Sequence, residues 1–123
     1  MHKSRLACLV VDGQNDVNEA AYFWSQALGY EIAETDGRYT RLDTPADQPQ
    51  ILIQQVSHPS RVHLDIESDD IEAEVARMQA LGASVVERLA RWVVMQAPTG
   101  HRFCIVGPQR SDFASAPAVN VWR

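Results

Sequence analysis

Hydrophobic and polar positions along the chain switch between two periods. Residues 6–11 form a continuous apolar run with β-branched members, closed by Asp12-Gly13-Gln14-Asn15. That pattern predicts a buried strand ended by a turn. Asp16 then stands as a helix N-cap, with Glu19 at capping-box spacing and Asp in place of Ser or Thr. Ala20, Phe23, Trp24, Ala27 and Leu28 follow at helical spacing, and Gly29 supplies the stop. Three short strands are expected next, at residues 30–33, 38–42 and 50–56. The proline-bearing stretch 44–49 separates the last two as a surface loop.

After the turn Ser57-His58-Pro59-Ser60 the order starts again. Residues 61–67 read as a strand, Asp69 or Asp70 as a cap, and Ile71, Val75, Met78 and Leu81 as a helical stripe stopped by Gly82. Strands are expected at 84–87, 91–96 and 102–106, the last two joined by the turn Ala97-Pro98-Thr99-Gly100-His101. Residues 108–123 form a mixed, proline-containing tail, which Phe113, Val121 and Trp122 are placed to lay across the rest.

Strand, helix, three strands thus occur twice. Gln26-Ala27-Leu28-Gly29 recurs letter for letter as Gln79-Ala80-Leu81-Gly82, an offset of 53 residues (82 − 29). At that offset Asp16 meets Asp69, Glu19-Ala20 meets Glu72-Ala73, and Ile32 meets Val85. An internal repeat accounts for this better than two unrelated α+β units, although helix ends draw on few residue types.

Composition narrows the class. A chain of 123 residues buries a real core as one domain, and its 46% hydrophobic and 22% charged residues are ordinary for a globular protein. The net charge of −5, with no Lys/Arg cluster, argues against a nucleic-acid or anionic-membrane surface. Apolar stretches are only strand-length, so no membrane span is expected. The first residues lack the apolar length and cleavage site of a signal peptide, and Cys8 and Cys104 stand apart without a CxxC pattern. A cytoplasmic protein with two buried thiols is the expectation.

Three segments carry a family resemblance. The run Ala20-Ala21-Tyr22-Phe23-Trp24-Ser25-Gln26-Ala27-Leu28-Gly29 is similar to a first-helix ending in Phe-Trp/Tyr and then Leu-Gly. Arg61-Val62-His63-Leu64-Asp65-Ile66 leading into Asp69-Asp70-Ile71-Glu72-Ala73 is similar to the opening of a second module. Residues 92–104, with Ala97-Pro98-Thr99-Gly100-His101 at their centre, look like a closing hairpin that usually reads Asp-Pro-x-Gly-Asn. Together they resemble the glyoxalase-like branch of the vicinal-oxygen-chelate superfamily, which includes glyoxalase I, extradiol dioxygenases and bleomycin-resistance proteins. The resemblance implies an α+β fold: two tandem βαβββ modules forming an open, curved mixed sheet with a concave cavity and the helices outside. One glyoxalase-like domain would cover 1–107, module one about 5–56 and module two about 61–107, with the tail at 108–123. It also implies a homodimer.

Strand alternation suggests which side chains face the cavity. Val62, Leu64 and Ile66 are expected to pack against a helix, leaving Arg61, His63, Asp65 and Glu67 opposite. Phe103 and Ile105 likewise leave Arg102, Cys104 and Val106 opposite, and Trp92 and Tyr39 are suited to a pocket wall. The candidate pocket set is therefore His63, Asp65, Cys104, Gln54, Trp92 and Arg102.

In metal-binding relatives each module gives one ligand from its first strand and one from its last. By resemblance His63 holds one such position, and Cys104 stands where glutamate is usual. The first module offers Leu9, with Cys8 and Val10 no better as its neighbours, and an amide from Gln54 or Gln55. One imidazole, one thiol and one amide do not balance a hard divalent cation, so no cofactor is expected, with His63 the candidate should a metal bind. His2 in a frayed end, His58 in a turn and His101 at a hairpin tip read as solvated. Cys104 reads as an inert thiol rather than a nucleophile, and Asp65 and Glu67 as solvated charges or an acid/base set beside His63. No Ser-His-Asp spacing, phosphate loop or dinucleotide fingerprint is present.

The expected function is a small-molecule-binding protein with no complete metal site and no nucleic-acid or membrane partner. The alternatives are a metal-dependent lyase, isomerase or dioxygenase using His63, and a non-catalytic dimer module.

Overall fold

The computed structural model describes residues 1–123 as two compact units, residues 8–63 and residues 1–7 with 64–123. The first unit takes the end of β1 (His2–Gly13), then α1 (Val17–Leu28), β2 (Ile32–Asp36), β3 (Tyr39–Leu42) and β4 (Gln50–Gln55). Its strand order is β2-β3-β4-β1, with β1 parallel to β4 and the other pairs antiparallel. The second unit takes the start of β1, most of β5 (Arg61–Ser68), then α2 (Ile71–Ala80), β6 (Ser84–Arg88), β7 (Trp92–Gln96), β8 (Arg102–Val106) and β9 (Asn120–Trp122). Its order is β5-β8-β7-β6, again with the first strand parallel to the last. The fold is α+β: two βαβββ modules, each with an open mixed sheet and one helix.

The repeat extends to irregularities. The β2/β3 ladder shifts register between Ile32 and Glu34, and the β6/β7 ladder shifts between Val85 and Glu87, the same offset of 53. A bulge at one place in both copies is inherited geometry rather than a local accident. The caps depart by one residue. Asp16 accepts from the Asn18 N–H, whereas Asp70, not Asp69, caps α2 by accepting from the Ala73 N–H. Gly82 needs to be glycine twice over: its φ is 104°, and a Cβ there would lie 3.1 Å from the Pro98 side chain.

Each helix covers one face of its sheet. Val17 and Ala21 meet Leu42 and Ile53 in the first unit, with Trp24, Ala20, Val11 and Ile51 packed around them. The buried row of α1 is therefore Val17, Ala21 and Ser25, small residues that let the helix lie close. Phe23, at 59% exposure, and Leu28 lie on the flank instead of in the expected stripe, with Phe23 edge-on to Trp24. In the second unit Val75, Val93, Met95, Phe103 and Ile105 form the core, and of the β5 apolar set only Ile66 packs against it. Val62 and Leu64 are 59% and 41% exposed, contrary to expectation.

The polar start of the chain is strand, not a frayed end: the side chains of His2, Ser4 and Arg5 have partners, and the Lys3 N–H donates to Asp69 Oδ1 at 2.8 Å. His2 Nε2 lies 2.7 Å from Glu74 Oε1, and the Trp122 indole donates to Ser4 Oγ at 2.7 Å. Glu67 is fully buried. It accepts from Arg5 Nε at 2.7 Å and from the backbone N–H groups of Gln109 and Arg110 at 2.6 and 3.0 Å. Arg5 also pairs with Asp112 and lies over the buried Phe113 ring. Val119 is buried where Val121 was expected to be, and residues 120–122 pair antiparallel with 2–4. No helix is long and apolar enough to cross a membrane.

Two outcomes follow from these buried carboxylates. Glu67→Ala strands two N–H groups and leaves Arg5 only its Asp112 partner, and should cost about 3–5 kcal/mol in urea unfolding, with loss of amide protection around residue 110. Burial alone would push the Glu74 carboxyl up, but hydrogen bonds from Arg77, His2 and Ser4 outweigh it and hold the group at about 2 instead of 4.5. The ionised form is the one the fold favours. Its contribution is full above pH 4.5 and is lost as pH falls toward 2. Glu74→Gln should flatten the stability–pH curve across that window, read from urea midpoints.

Candidate functional site

Four of the six candidate pocket residues lie on one face of the second unit. Val93, Met95, Phe103 and Ile105 point toward α2, so alternation turns Trp92, Arg102 and Cys104 the other way. Register aligns Trp92 with Val106, Val94 with Cys104, Gln96 with Arg102, and Asp65 with Cys104. An Asp65 carboxylate oxygen and the Cys104 sulfur lie within 4.8 Å of each other, and Arg102 Nε donates to Gln96 Oε1 at 3.1 Å. Trp92 is about one-third exposed at the end of this face.

The other two belong to the first unit. Gln54 turns away from Ile51 and Ile53, which pack under α1, and donates to the Tyr39 hydroxyl at 3.2 Å. His63 is on the same face of β5 as Asp65, two residues earlier, and its Nδ1 is 2.7 Å from Asp12 Oδ2.

Asp12 is the functional candidate that sequence reasoning missed. It ends an apolar run just before Gly13, which is the pattern of a turn former. In the structure Asp12 is the last open-face residue of β1, aligned with Gln54 and only 2% exposed. Besides His63, it has Arg61 Nε at 3.9 Å and His58 Nε2 at 4.0 Å, all three on Oδ2. Its Oδ1 is buried without a hydrogen-bond partner. The available signal was parity: Cys8, Val10 and Asp12 alternate onto one face.

A carboxylate at Nδ1 holds a neutral imidazole in the Nδ1–H tautomer and leaves Nε2 as the ring's acceptor. That fits His63 as a base or hydrogen-bond acceptor. The same unit contains a cleft of about 580 Å³, whose walls include Asp12, Glu19, Phe23, Trp24, Arg61 and Val62. None of the six expected pocket residues lines it.

The residues present do not fit the family's metal set. Leu9 aligns with Ile51 and so lies on the α1 side, and its open-face neighbours are Cys8 and Val10, while Asp12 further along that face is engaged by His63. Neither Cys8 nor Val10 is a hard ligand, and Gln54 brings an amide already engaged by Tyr39. The second unit brings a thiol and a carboxylate, Cys104 and Asp65, rather than the glutamate expected at the former position.

Nitrogen NMR of the histidine side chains checks the tautomer. His63 in its neutral form should carry its proton on Nδ1, and Asp12→Asn should abolish that preference.

A family model for a glyoxalase-like domain matches residues 8–106. No curated protein matches the chain in sequence. Among solved structures, a hypothetical protein from Bacillus halodurans shares 10% identity at a TM-score of 0.68, over 88% of this chain and 96% of that one. A glyoxalase/bleomycin resistance protein/dioxygenase superfamily member from Vibrio splendidus shares 18% at 0.56, over 85% of this chain and 99% of that one. The Mn(II)-bound glyoxalase from Novosphingobium aromaticivorans also shares 18% at 0.56, over 89% of this chain but 41% of its own. At such identities the likeness is one of fold. The family match spans most of the sequence, and on it the chain belongs to the glyoxalase-like domain family.

Proposed function

We propose that this protein binds a small organic molecule without a resident metal ion. The observation that carries the reading is the donor set: Cys8 and Val10 flank the position where β1 would supply a ligand, Asp12 beyond them is engaged by His63, and β4 offers an amide. Polar and aromatic side chains remain on the open faces, with Asp65, Cys104, Arg102 and Trp92 in one unit and Asp12, Gln54 and Tyr39 in the other. Such faces suit recognition by hydrogen bonds and stacking. A cytoplasmic homodimer belongs to the same proposal, from composition and from the resemblance respectively; light scattering at micromolar concentration tests the dimer.

One observation favours a second reading. Asp65 adds a carboxylate beside Cys104, and His63 precedes it on the same strand, so a lyase, isomerase or dioxygenase using His63 remains the alternative.

Plasma emission on protein purified without chelators separates the two. The expected result is no stoichiometric metal, before or after soaking in zinc, nickel, iron or manganese. A stoichiometric metal that is lost in His63→Ala would overturn the proposal in favour of the enzyme.

A further inference from the structure

We infer that the cleft of the first unit is a binding site for a small organic cation with a planar apolar body, an aromatic amine or amidine. The inference rests on the small-molecule reading and adds a location and a ligand class to it.

Asp12 carries the argument. Its side chain is 1% exposed, yet Oδ1 has no donor. A buried carboxylate oxygen without a partner is costly, and native proteins rarely leave one unserved. All three neighbouring basic side chains, His58, Arg61 and His63, sit against the other oxygen. The carboxylate is thereby held in place from one side and left with an unused acceptor on the other. Asp12 itself lines the cleft, so a cation entering there meets its negative charge.

The rest of the wall agrees with a cation. Two carboxylates, Asp12 and Glu19, and one guanidinium, Arg61, line it, which leaves a net negative charge. Phe23 and Trp24 add ring surface, edge to face with centroids 5.0 Å apart, and Val62 adds an exposed apolar side chain. Aromatic rings beside carboxylates attract organic cations through both ring quadrupole and charge. The cleft volume of about 580 Å³ is in the range of small-molecule sites. An anionic ligand would gain Arg61 but face both carboxylates.

Titration followed by the indole N–H resonances tests this. Trp24 lines the cleft, while Trp92 and Trp122 belong to the second unit and serve as internal references. Trp24→Phe assigns its resonance. Benzamidine should shift the Trp24 signal saturably, and benzyl alcohol and benzoate should bind about tenfold more weakly or less, the value of one charge-assisted hydrogen bond. Asp12→Asn should weaken benzamidine by about the same factor, and Glu19→Gln by less. Because Asp12 also orients His63, the comparison of probes on the unmodified chain decides independently of that variant. Equal affinity for benzamidine and benzyl alcohol, tighter benzoate, or no Trp24 response at millimolar benzamidine would each overturn the inference. A neutral probe that shifts Trp92 alone would overturn the location while leaving the small-molecule reading in place.

Discussion

Each unit depends on the parallel pairing of its first strand with its last, β1 with β4 and β5 with β8. A parallel neighbour cannot be reached by a tight turn, so the chain must cross over, and in both units the crossover begins with a helix. That helix covers one face of the sheet and determines where the apolar side chains go. The uncovered face then collects what the core cannot hold: Asp65, Cys104 and Arg102 in one unit, Asp12, Gln54 and Tyr39 in the other. Polar chemistry here is a by-product of one-sided coverage.

The elements were legible because their periods and stops are strong. Asp16 and Gly29 bracket α1, and the repeated Gln-Ala-Leu-Gly marked the duplication before any register was known. What stayed hidden had to do with partners far along the chain. Nothing local to His2, Ser4 or Arg5 announces a strand; their partners are Glu74, Trp122 and Glu67. The exposed Phe23 and the small buried row of α1 escaped periodicity for a different reason. Apolar spacing gives the face of a helix only within about one residue's rotation, and a close-lying helix prefers alanine and serine to phenylalanine.

The candidate site was half legible for the same reasons. Alternation puts Arg102, Cys104 and Asp65 on a common face, as the strand register does, since period two tolerates no ambiguity once a strand is found. Leu9 stands seven residues before Asp16 as His63 stands seven before Asp70, but the caps differ by one residue from the repeat offset in the two copies, enough to put Leu9 on the wrong face. Asp12 was hidden by its neighbour Gly13. A residue read as a turn former turned out to be the most enclosed carboxylate of the first unit.

The pairing of residues 2–4 with 120–122 ties two segments far apart in the sequence together. A ribosome delivers residues 2–4 long before residues 120–122. Residues 8–63 are contiguous and can organise while synthesis continues, whereas residues 2–4 wait for strand partners made much later. During that interval the polar character of His2, Lys3, Ser4 and Arg5, otherwise odd for a strand, keeps an unpaired edge soluble in the crowded company of other nascent chains.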